Sequence, residues 1–344
     1  AKGYGLADIE QGKPVDPGET LFAIGSVSKA LTAGAVMQWV ERGQLRLDEP
    51  VDSYLESVQT GKSCSQPVTT AHLLTHTAGL SYGWFFDSPV EDLYRELLPN
   101  IFHRTQTLEE VVNQIADLPL LFQPGTQWRY SYATDVLGLV VQVVADMPLA
   151  EFLEERIFKP LDMKDTAFHV PAEKLDRLAQ IYESEGLYDP IVPKPDEVGL
   201  TGDVTVPTKC PSSGGGLVST LRDYLNFCNC LMNNGQYDGG RLISRKTLAW
   251  MTSDHIPERL KPIKIGDWVA DIGFGLGFRV VTSLGEARSL TSLGEYGWAG
   301  AAQTYFWIDP AEEFIGLFMT QYMPIDPYPP QERFRNLAYQ AIAD

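Results

Sequence analysis

The sequence has few cysteines, little positive charge and no long apolar run. Four cysteines among 344 residues are too few for a disulfide scaffold. Lysine and arginine number 27 against 45 aspartates and glutamates, and the formal net charge of -18 disfavours nucleic acid and anionic membrane surfaces as partners. No apolar run is long enough to span a bilayer, and no signal peptide is visible at the start. We therefore expect a cytoplasmic protein that binds neither nucleic acid nor membranes.

The sequence also lacks a complete metal-binding motif. Cys228 and Cys230 lie two apart on a predicted helix, so their side chains point to different faces. His72 and His76 are four apart, as in a zinc-binding pair, but Leu73 stands where His-Glu-x-x-His has its glutamate. We therefore expect neither a metal nor an organic cofactor.

What is present is an ordinary globular composition, with 44% hydrophobic and 21% charged residues. Segments rich in β-formers lie near both ends, and apolar positions at helical spacing lie between them. Strands are predicted at 2–8, 20–24, 274–281, 296–308 and 314–321. Helices are predicted at 26–41, 72–76, 108–118, 133–146, 151–158, after Thr220, and at 331–342.

This order predicts an α+β fold, in which an antiparallel sheet built from both ends of the chain is flanked by helices and carries an inserted all-helical subdomain. Residues 1–55 and 205–344 would form a discontinuous sheet domain, and residues 56–204 a mainly helical subdomain. The first predicted strand needs neighbours and the chain starts at Ala1, so we expect the natural protein to extend upstream.

The last predicted helix carries four apolar residues that we expect to pack inward. They are Phe334, Leu337, Ala338 and Ala341.

A Ser-x-x-Lys pattern, Gly25-Ser26-Val27-Ser28-Lys29, opens the first long predicted helix. A spacing of three residues puts Ser26 and Lys29 on one face of that helix. The unpaired N–H groups at a helix start can face a developing oxyanion, and the helix dipole together with burial favours the neutral amine of Lys29 as a base. A serine cap followed by an exposed lysine fits the pattern equally well when it is taken alone.

A Pro-Gly turn leads to Tyr130 in the segment Phe122-Gln-Pro-Gly-Thr-Gln-Trp-Arg-Tyr130-Ser131-Tyr132. A buried tyrosine beside an ammonium group loses its proton more easily. Tyr130 can then take a proton from Ser26 and hand it to a leaving group. A core tyrosine without a catalytic role is the commoner alternative.

The segment Tyr296-Gly-Trp298-Ala299-Gly300-Ala301 opens a predicted strand with small residues. Small residues allow a substrate to lie close to the backbone, and the N–H of Ala301 is a candidate second oxyanion donor. A glycine-rich edge strand is the alternative.

In this order the three segments resemble the serine β-lactamase and penicillin-recognising superfamily. More narrowly, they are similar to its family VIII carboxylesterases and to the class C β-lactamases. The resemblance covers nearly the whole chain and implies the β-lactamase/transpeptidase-like fold. It extends to Gly3-Tyr-Gly-Leu-Ala-Asp8, His72-Leu-Leu-Thr-His-Thr-Ala-Gly-Leu80, Phe122-Gln-Pro-Gly125 and Gly214-Gly-Gly-Leu-Val-Ser-Thr220.

The resemblance also implies roles for individual residues. Ser26 would be the nucleophile, Lys29 and Tyr130 would share the role of general base, and the N–H groups of Ser26 and Ala301 would form the oxyanion hole.

Two departures from the β-lactamase pattern concern substrate binding. Tyr132 stands where those enzymes have the asparagine of Tyr-x-Asn, so an amide that grips the substrate is missing. Trp298-Ala299-Gly300 stands where they have Lys-Thr-Gly, so a neutral aromatic replaces a lysine that attracts a carboxylate. Both departures are familiar in the esterase branch.

The segment Gly79-Leu-Ser81-Tyr-Gly83 matches the nucleophile elbow Gly-x-Ser-x-Gly, which needs a strand before it and a helix after it. A helix is predicted before Ser81, and the aromatic loop Trp84-Phe85-Phe86 follows it. We therefore do not predict Ser81 as the nucleophile. The loop aromatics either wall an acyl pocket or belong to the core.

The sequence thus predicts a serine carboxylesterase that hydrolyses small or short-chain esters, its small-molecule partners, through an acyl-enzyme. One alternative is an acyltransferase that uses an alcohol acceptor. A weak β-lactamase or a D-amino-acid peptidase is another, and the loss of the lysine at Trp298 counts against it. A non-catalytic binding module is the last, and the presence of Ser26, Lys29 and Tyr130 together counts against it.

Overall fold

The computed structural model of the protein describes residues 1–55, 64–101, 105–186, 189–194, 202–266, 268–287, 289–323 and 330–342. The α-helices of this part of the chain are α1 (Ser28–Glu41), α2 (Thr70–Leu74), α3 (Pro89–Ile101), α4 (Leu108–Asp117), α5 (Ala133–Ala145), α6 (Leu149–Leu153), α7 (Leu221–Met232), α8 (Arg245–Met251) and α9 (Pro330–Tyr339). Its strands are β1 (Leu6–Asp8), β2 (Lys13–Pro14), β3 (Phe22–Ala23), β4 (Tyr182–Glu183), β5 (Val192–Pro193), β6 (Val218–Ser219), β7 (Gln236–Tyr237), β8 (Gly240–Arg241), β9 (Ile263–Ile265), β10 (Trp268–Ala270), β11 (Gly273–Phe274), β12 (Arg279–Val280), β13 (Tyr296–Ala299), β14 (Tyr305–Asp309), β15 (Phe314–Phe318) and β16 (Tyr322–Met323).

Five antiparallel strands form the main sheet, in the order β11-β12-β13-β14-β15. The strands predicted at 274–281 and 296–308 were too long, because the chain turns between β11 and β12 and again between β13 and β14. Apolar residues continue through both turns, so hydrophobic patterning alone did not separate the strands. The second of these turns carries Gly300 and Ala301.

Helix α1 lies in the centre of the protein. Its residues from 28 to 38 are all buried, and it contacts α5 and α6. Small residues such as Ala30, Ala33 and Gly34 let neighbouring elements approach on every side. The apolar stripe expected on one face is therefore part of a helix enclosed all round, which gives the residues at its start a rigid support.

Helix α9 differs from the sequence-based expectation. Phe334 and Leu337 are 39% and 60% exposed, Ala341 is exposed as well, and Ala338 is half-buried. The inward residue is Arg335, which pairs with the buried carboxylate of Glu295 and donates to Tyr305 OH at 3.2 Å. The inward packing predicted for the apolar residues holds only in part: the ring of Phe334 contacts those of Trp307 and Phe318, whereas Leu337 and Ala341 are exposed.

The predicted α+β class is confirmed by this mixture of helices and antiparallel sheets. The division into residues 1–55 with 205–344 and residues 56–204 stays a prediction, and its first boundary adjoins residues 56–63, which lie outside the described residues.

Within the described residues, no single helix is long and apolar enough to cross a membrane. One bent pair, Ala133–Ala145 with Leu149–Phe158, passes such a test by length and composition alone.

Candidate active site

The start of α1 brings a serine and a lysine together. Strand β3 leads into a 3-10 turn, Gly25–Val27, that runs directly into the helix. Ser26 is partly exposed in this turn, whereas Lys29, one helical turn later, is only 3% exposed. Lys29 Nζ lies 3.2 Å from Ser26 Oγ and donates to the carbonyl oxygen of Gly214 at 2.5 Å. The lysine is thus an internal group aimed at the serine and not an exposed side chain beside a cap.

Two tyrosine rings enclose the ammonium group of Lys29. Its Nζ lies 4.7 Å from the ring centroid of Tyr130 and 5.4 Å from that of Tyr82. Tyr130 is 6% exposed, and its hydroxyl oxygen accepts a hydrogen bond from Trp298 Nε1 at 3.1 Å. An N–H donor at this oxygen stabilises negative charge on it. The segments around residues 26, 130 and 298 therefore meet at one place.

The turn after β13 lies beside the segment that carries Ser26. Gly25 has a φ of +54°, and a Cβ atom there would lie 3.4 Å from the backbone nitrogen of Ala301 and 3.6 Å from Cα of Gly300. The positive φ favours a glycine at position 25, and the two distances are ordinary van der Waals contacts that bring the two segments side by side. Ala299 is exposed and Ala301 is partly exposed, so this strand end borders the same opening as Ser26.

Aromatic side chains line the region next to Lys29. The ring of Tyr82 stacks on Trp84 with centroids 5.2 Å apart, and Tyr132 meets Tyr82 edge-on at 4.4 Å. Trp84 is 38% exposed, whereas Tyr132, predicted to bind substrate, is 2% exposed. Burial raises the pKa of both Tyr82 and Tyr132 well above the usual value, so both rings are uncharged at neutral pH. The wall presented here is aromatic and neutral.

Two further titratable groups lie near Lys29. Burial raises the pKa of Asp135, although the charge of Lys29 and hydrogen bonds from Ser212 and Gly214 act in the opposite direction. Burial, and next the charge of Lys29, lowers the pKa of His76 well below its usual value. His76 is therefore neutral. Asp135 is a buried carboxyl group, and the charge of Lys29 opposes the rise in its pKa that burial causes.

The alternative motifs have structural roles. Ser81 is 1% exposed and donates to Glu91 Oε2 at 2.6 Å, an arrangement that ties the aromatic loop to α3. His72 completes a capping box with Thr69 at the start of α2. Among the described residues, no group of three or more histidine, cysteine, aspartate or glutamate side chains is placed to hold a metal ion.

Sequence reasoning missed three features of the site. It did not foresee the hydrogen bond between Trp298 and Tyr130, the carboxyl group of Asp135, or the contacts of Thr304 described below. A signal existed for Asp135, since it is the only charged residue within α5, Ala133–Ala145. A charge in an otherwise apolar helix indicates a buried polar role.

Comparisons with known proteins extend the likeness to the whole chain. A model of the family described as Beta-lactamase matches residues 1–340. Protein Rv1367c of Mycobacterium tuberculosis is 33% identical over 346 residues, covering 93% of this chain and 82% of its own length. Esterase EstB of Burkholderia gladioli is 36% identical over 249 residues, covering 68% of this chain and 62% of its own length. The structure of EstCE1, described as a hydrolase with promiscuous acyltransferase activity, matches with a TM-score of 0.84 at 28% identity and covers 97% of this chain and 88% of EstCE1.

Proposed function

Because the chain belongs to the β-lactamase family, we propose that it is a serine hydrolase that cleaves small carboxylic esters through an acyl-enzyme at Ser26. One observation carries the proposal: Lys29 Nζ lies 3.2 Å from Ser26 Oγ at the start of a buried helix. A nucleophile and a base within hydrogen-bond reach are the minimum for acyl transfer.

The proposed reaction gives each of these residues one role. Ser26 Oγ attacks the ester carbonyl carbon while the single proton of its hydroxyl passes to the base that Lys29 and Tyr130 form together. The tetrahedral oxyanion lies between the N–H groups of Ser26 and Ala301. Tyr130 then delivers that proton to the departing alkoxide, which leaves as the alcohol while the acyl group remains on Ser26. Water attacks the acyl carbonyl and gives a proton to the same base, which returns it to Ser26 Oγ as the free acid is released. None of these steps requires a metal or an organic cofactor.

The neutral lining favours esters over β-lactams. A penicillin carries a carboxylate, and a charge left unpaired in a dry site costs several kcal/mol. Trp298 offers an indole in place of a lysine, and that indole donates to Tyr130. Ala299 and Gly300, which follow it, add only small neutral surfaces for the substrate. The esterase name of the relative from Burkholderia gladioli supports the same choice.

Acyl transfer to an alcohol is the second candidate, favoured by the likeness to EstCE1. The aromatic wall of Tyr82 and Trp84 is suited to an apolar acceptor. The ratio of transfer product to free acid, measured with an added alcohol, separates this activity from hydrolysis.

The assignment of Ser26 is tested against Ser81. Ser26→Ala should abolish hydrolysis of p-nitrophenyl butyrate while leaving the fold intact, whereas Ser81→Ala should remain active. A serine-directed phosphonate should label Ser26 in the wild type. Labelling of Ser81 with Ser26 left free would overturn the proposal.

A cytoplasmic location is also part of the proposal. All four cysteines are free thiols, and Cys228 and Cys230 are buried. Free thiols in a chain of this size fit a reducing compartment.

A further inference from the structure

Thr304 joins the two segments that carry the candidate oxyanion donors. Its Oγ1 donates to the carbonyl oxygen of Ile24 at 2.7 Å, across 280 positions of the sequence. Its own carbonyl oxygen accepts the N–H of Gly300 at 2.7 Å. Through one residue, the turn that presents Ala301 is therefore fastened to the backbone just before Ser26.

The hydrogen bond between Thr304 and Ile24 is buried and closely packed against Gly300. Thr304 and Ile24 are fully buried, so the carbonyl of Ile24 has no access to bulk water in place of the hydroxyl. A Cβ atom at Gly300 would lie 2.1 Å from Thr304 Oγ1 and 2.6 Å from the oxygen of Ile24. The glycine is therefore required by the close packing of the hydroxyl and the carbonyl against Cα of Gly300.

The backbone of Ala23 and Ile24 is also held by contacts that do not involve Thr304. The amide N–H of Ile24 donates to Leu217 at 3.0 Å. The side-chain amide of Gln321 both accepts from and donates to the backbone of Ala23 at 3.0 Å. Loss of the Thr304 hydroxyl would leave these contacts in place, so the distance between the two donors should change while the fold remains.

From these contacts we infer that Thr304 is a positioning residue for the reaction, and that its hydroxyl sets the separation between the N–H groups of Ser26 and Ala301. The inference rests on the proposed acyl-enzyme chemistry. An oxyanion hole acts only when both donors fit the tetrahedral oxygen, and misplacement by about 1 Å costs on the order of 10²-fold in rate.

The test compares Thr304→Val and Thr304→Ala with Thr304→Ser. The first two lack the hydroxyl, with and without a methyl group in its place, and the third retains it. For p-nitrophenyl butyrate, Val and Ala should lower kcat by about 10-fold to 10²-fold with little change in KM. Ser should restore kcat to within about threefold of the wild type. Circular dichroism and thermal unfolding identify the variants that are folded. If Thr304→Val does not fold, Thr304→Ala provides the comparison.

A second readout reports the tetrahedral state directly. An alkylboronic acid forms a bond between boron and Ser26 Oγ while the serine proton passes to the base, which leaves a tetrahedral boronate anion. Its affinity should fall in Val and Ala by about the same factor as kcat, because it depends on the same two donors. A general loss of stability would not produce this parallel.

Thr320→Val is the matched control. Thr320 Oγ1 also donates to a backbone carbonyl of the same turn, that of Ala302, at 2.8 Å, and this hydrogen bond does not join the turn to the backbone before Ser26. Equal losses in Thr320→Val and Thr304→Val would overturn the inference, as would wild-type kcat and boronate affinity in Thr304→Val. A wild type that neither hydrolyses the ester nor binds the boronate would overturn both the inference and the proposed function.

Discussion

The indole of Trp298 contacts the phenol of Tyr130 through a hydrogen bond as well as through ring packing. Its Nε1 donates to the hydroxyl oxygen at 3.1 Å, and the two ring centroids are 5.4 Å apart. The lysine of the β-lactamase pattern is thus replaced by a neutral N–H donor. This donor can stabilise a phenolate without adding a charge that would attract anionic substrates.

Trp298→Phe should separate these two contributions. Phenylalanine retains much of the ring packing but lacks the N–H, so Tyr130 loses its donor. We expect kcat for p-nitrophenyl butyrate to fall about 10-fold to 10²-fold, since a hydrogen bond to a charged group contributes about 1.5 to 3 kcal/mol. KM should change little. Steady-state kinetics on the purified variant provide the measurement.

Trp128→Phe is the control for this substitution. Trp128 stacks on the same tyrosine with ring centroids 6.3 Å apart, and its buried Nε1 has no hydrogen-bond partner among the described residues. Removing that N–H should leave kcat near the wild-type value. A loss as large as that of Trp298→Phe would show that ring packing alone accounts for the effect.

How far these residues are predictable depends on sequence separation. Ser26 and Lys29 are three apart on a helix, so the helix alone brings them together. The hydrogen bond between Tyr130 and Trp298 spans 168 positions and depends on the orientation of one ring. Hydrophobic patterning assigns residues to helices and strands. It does not predict the rotamer of a side chain that contacts a residue far away in the sequence.

At the scale of elements, the 3-10 turn Ala172–Arg177 is held to its surroundings by charge. Asp165 Oδ1 accepts from Lys174 Nζ at 2.7 Å, and Oδ2 accepts from Arg177 Nη2 at 2.7 Å. The hydrogen bond from Arg177, and next that from Lys174, lowers the pKa of Asp165, although burial opposes them. The ionised form is therefore more favourable in the folded protein than in the unfolded chain.

Asp165→Asn should reduce stability in a pH-dependent way. Because the folded pKa is lowered, the stabilisation is present above the unfolded pKa of about 4 and is lost as the pH falls through the folded value. These side chains are partly exposed, so we expect about 1 kcal/mol or less at pH 7. The free energy of unfolding in urea, measured in both proteins from neutral pH downward, tests this.

The exposed pair of Arg46 and Asp48, 2.8 Å apart, provides the comparison. Asp48→Asn should leave the free energy of unfolding unchanged within error, because such pairs are solvated. If the difference between Asp165→Asn and the wild type stayed constant down to the lowest pH, charge would not be its cause.

Element prediction failed where local patterning was ambiguous. The strand expected over 296–308 contains a turn at residues 300–304, where Ala301 and Ala302 carry no charge or proline that would mark a break in the strand. Helix α9 was placed within one residue of its observed start, but its most buried side chain, that of Arg335, was not foreseen. Its orientation is set by Arg335 and Glu295, a pair that apolar periodicity does not take into account.

At the scale of the whole molecule, the net charge of -18 bears on substrate choice. A strongly acidic protein lowers the local concentration of anions and raises that of cations. This field acts in the same direction as the missing lysine at position 298. Both should disfavour substrates that carry a carboxylate.

We therefore expect p-nitrophenyl butyrate to be preferred over benzylpenicillin by on the order of 10²-fold or more in kcat/KM, since the unpaired carboxylate costs several kcal/mol. Nitrocefin, a reactive cephalosporin, should be opened slowly. Trp298→Lys should reduce this difference in kcat/KM, because the lysine can form an ion pair with the carboxylate of benzylpenicillin. A wild type that prefers benzylpenicillin would replace the esterase proposal with a β-lactamase.

The global fold was the most predictable level. Motifs along nearly the whole chain pointed to one architecture, and the family match over residues 1–340 agrees. Several independent motifs in the right order constrain a topology far more than any one of them constrains a contact. Such motifs do not predict the individual side-chain contacts that shape the site, such as those of Thr304 and Gln321.

The long span between Ile24 and Thr304 has a consequence for the newly made chain. A ribosome adds about 5 to 20 residues per second, so Ser26 is synthesised roughly a quarter of a minute to a minute before Thr304. During that interval the serine has neither the turn that carries Ala301 nor the indole that supports Tyr130. Under the proposed function, the newly made chain therefore acquires its reactive serine only after the last strands have joined the sheet.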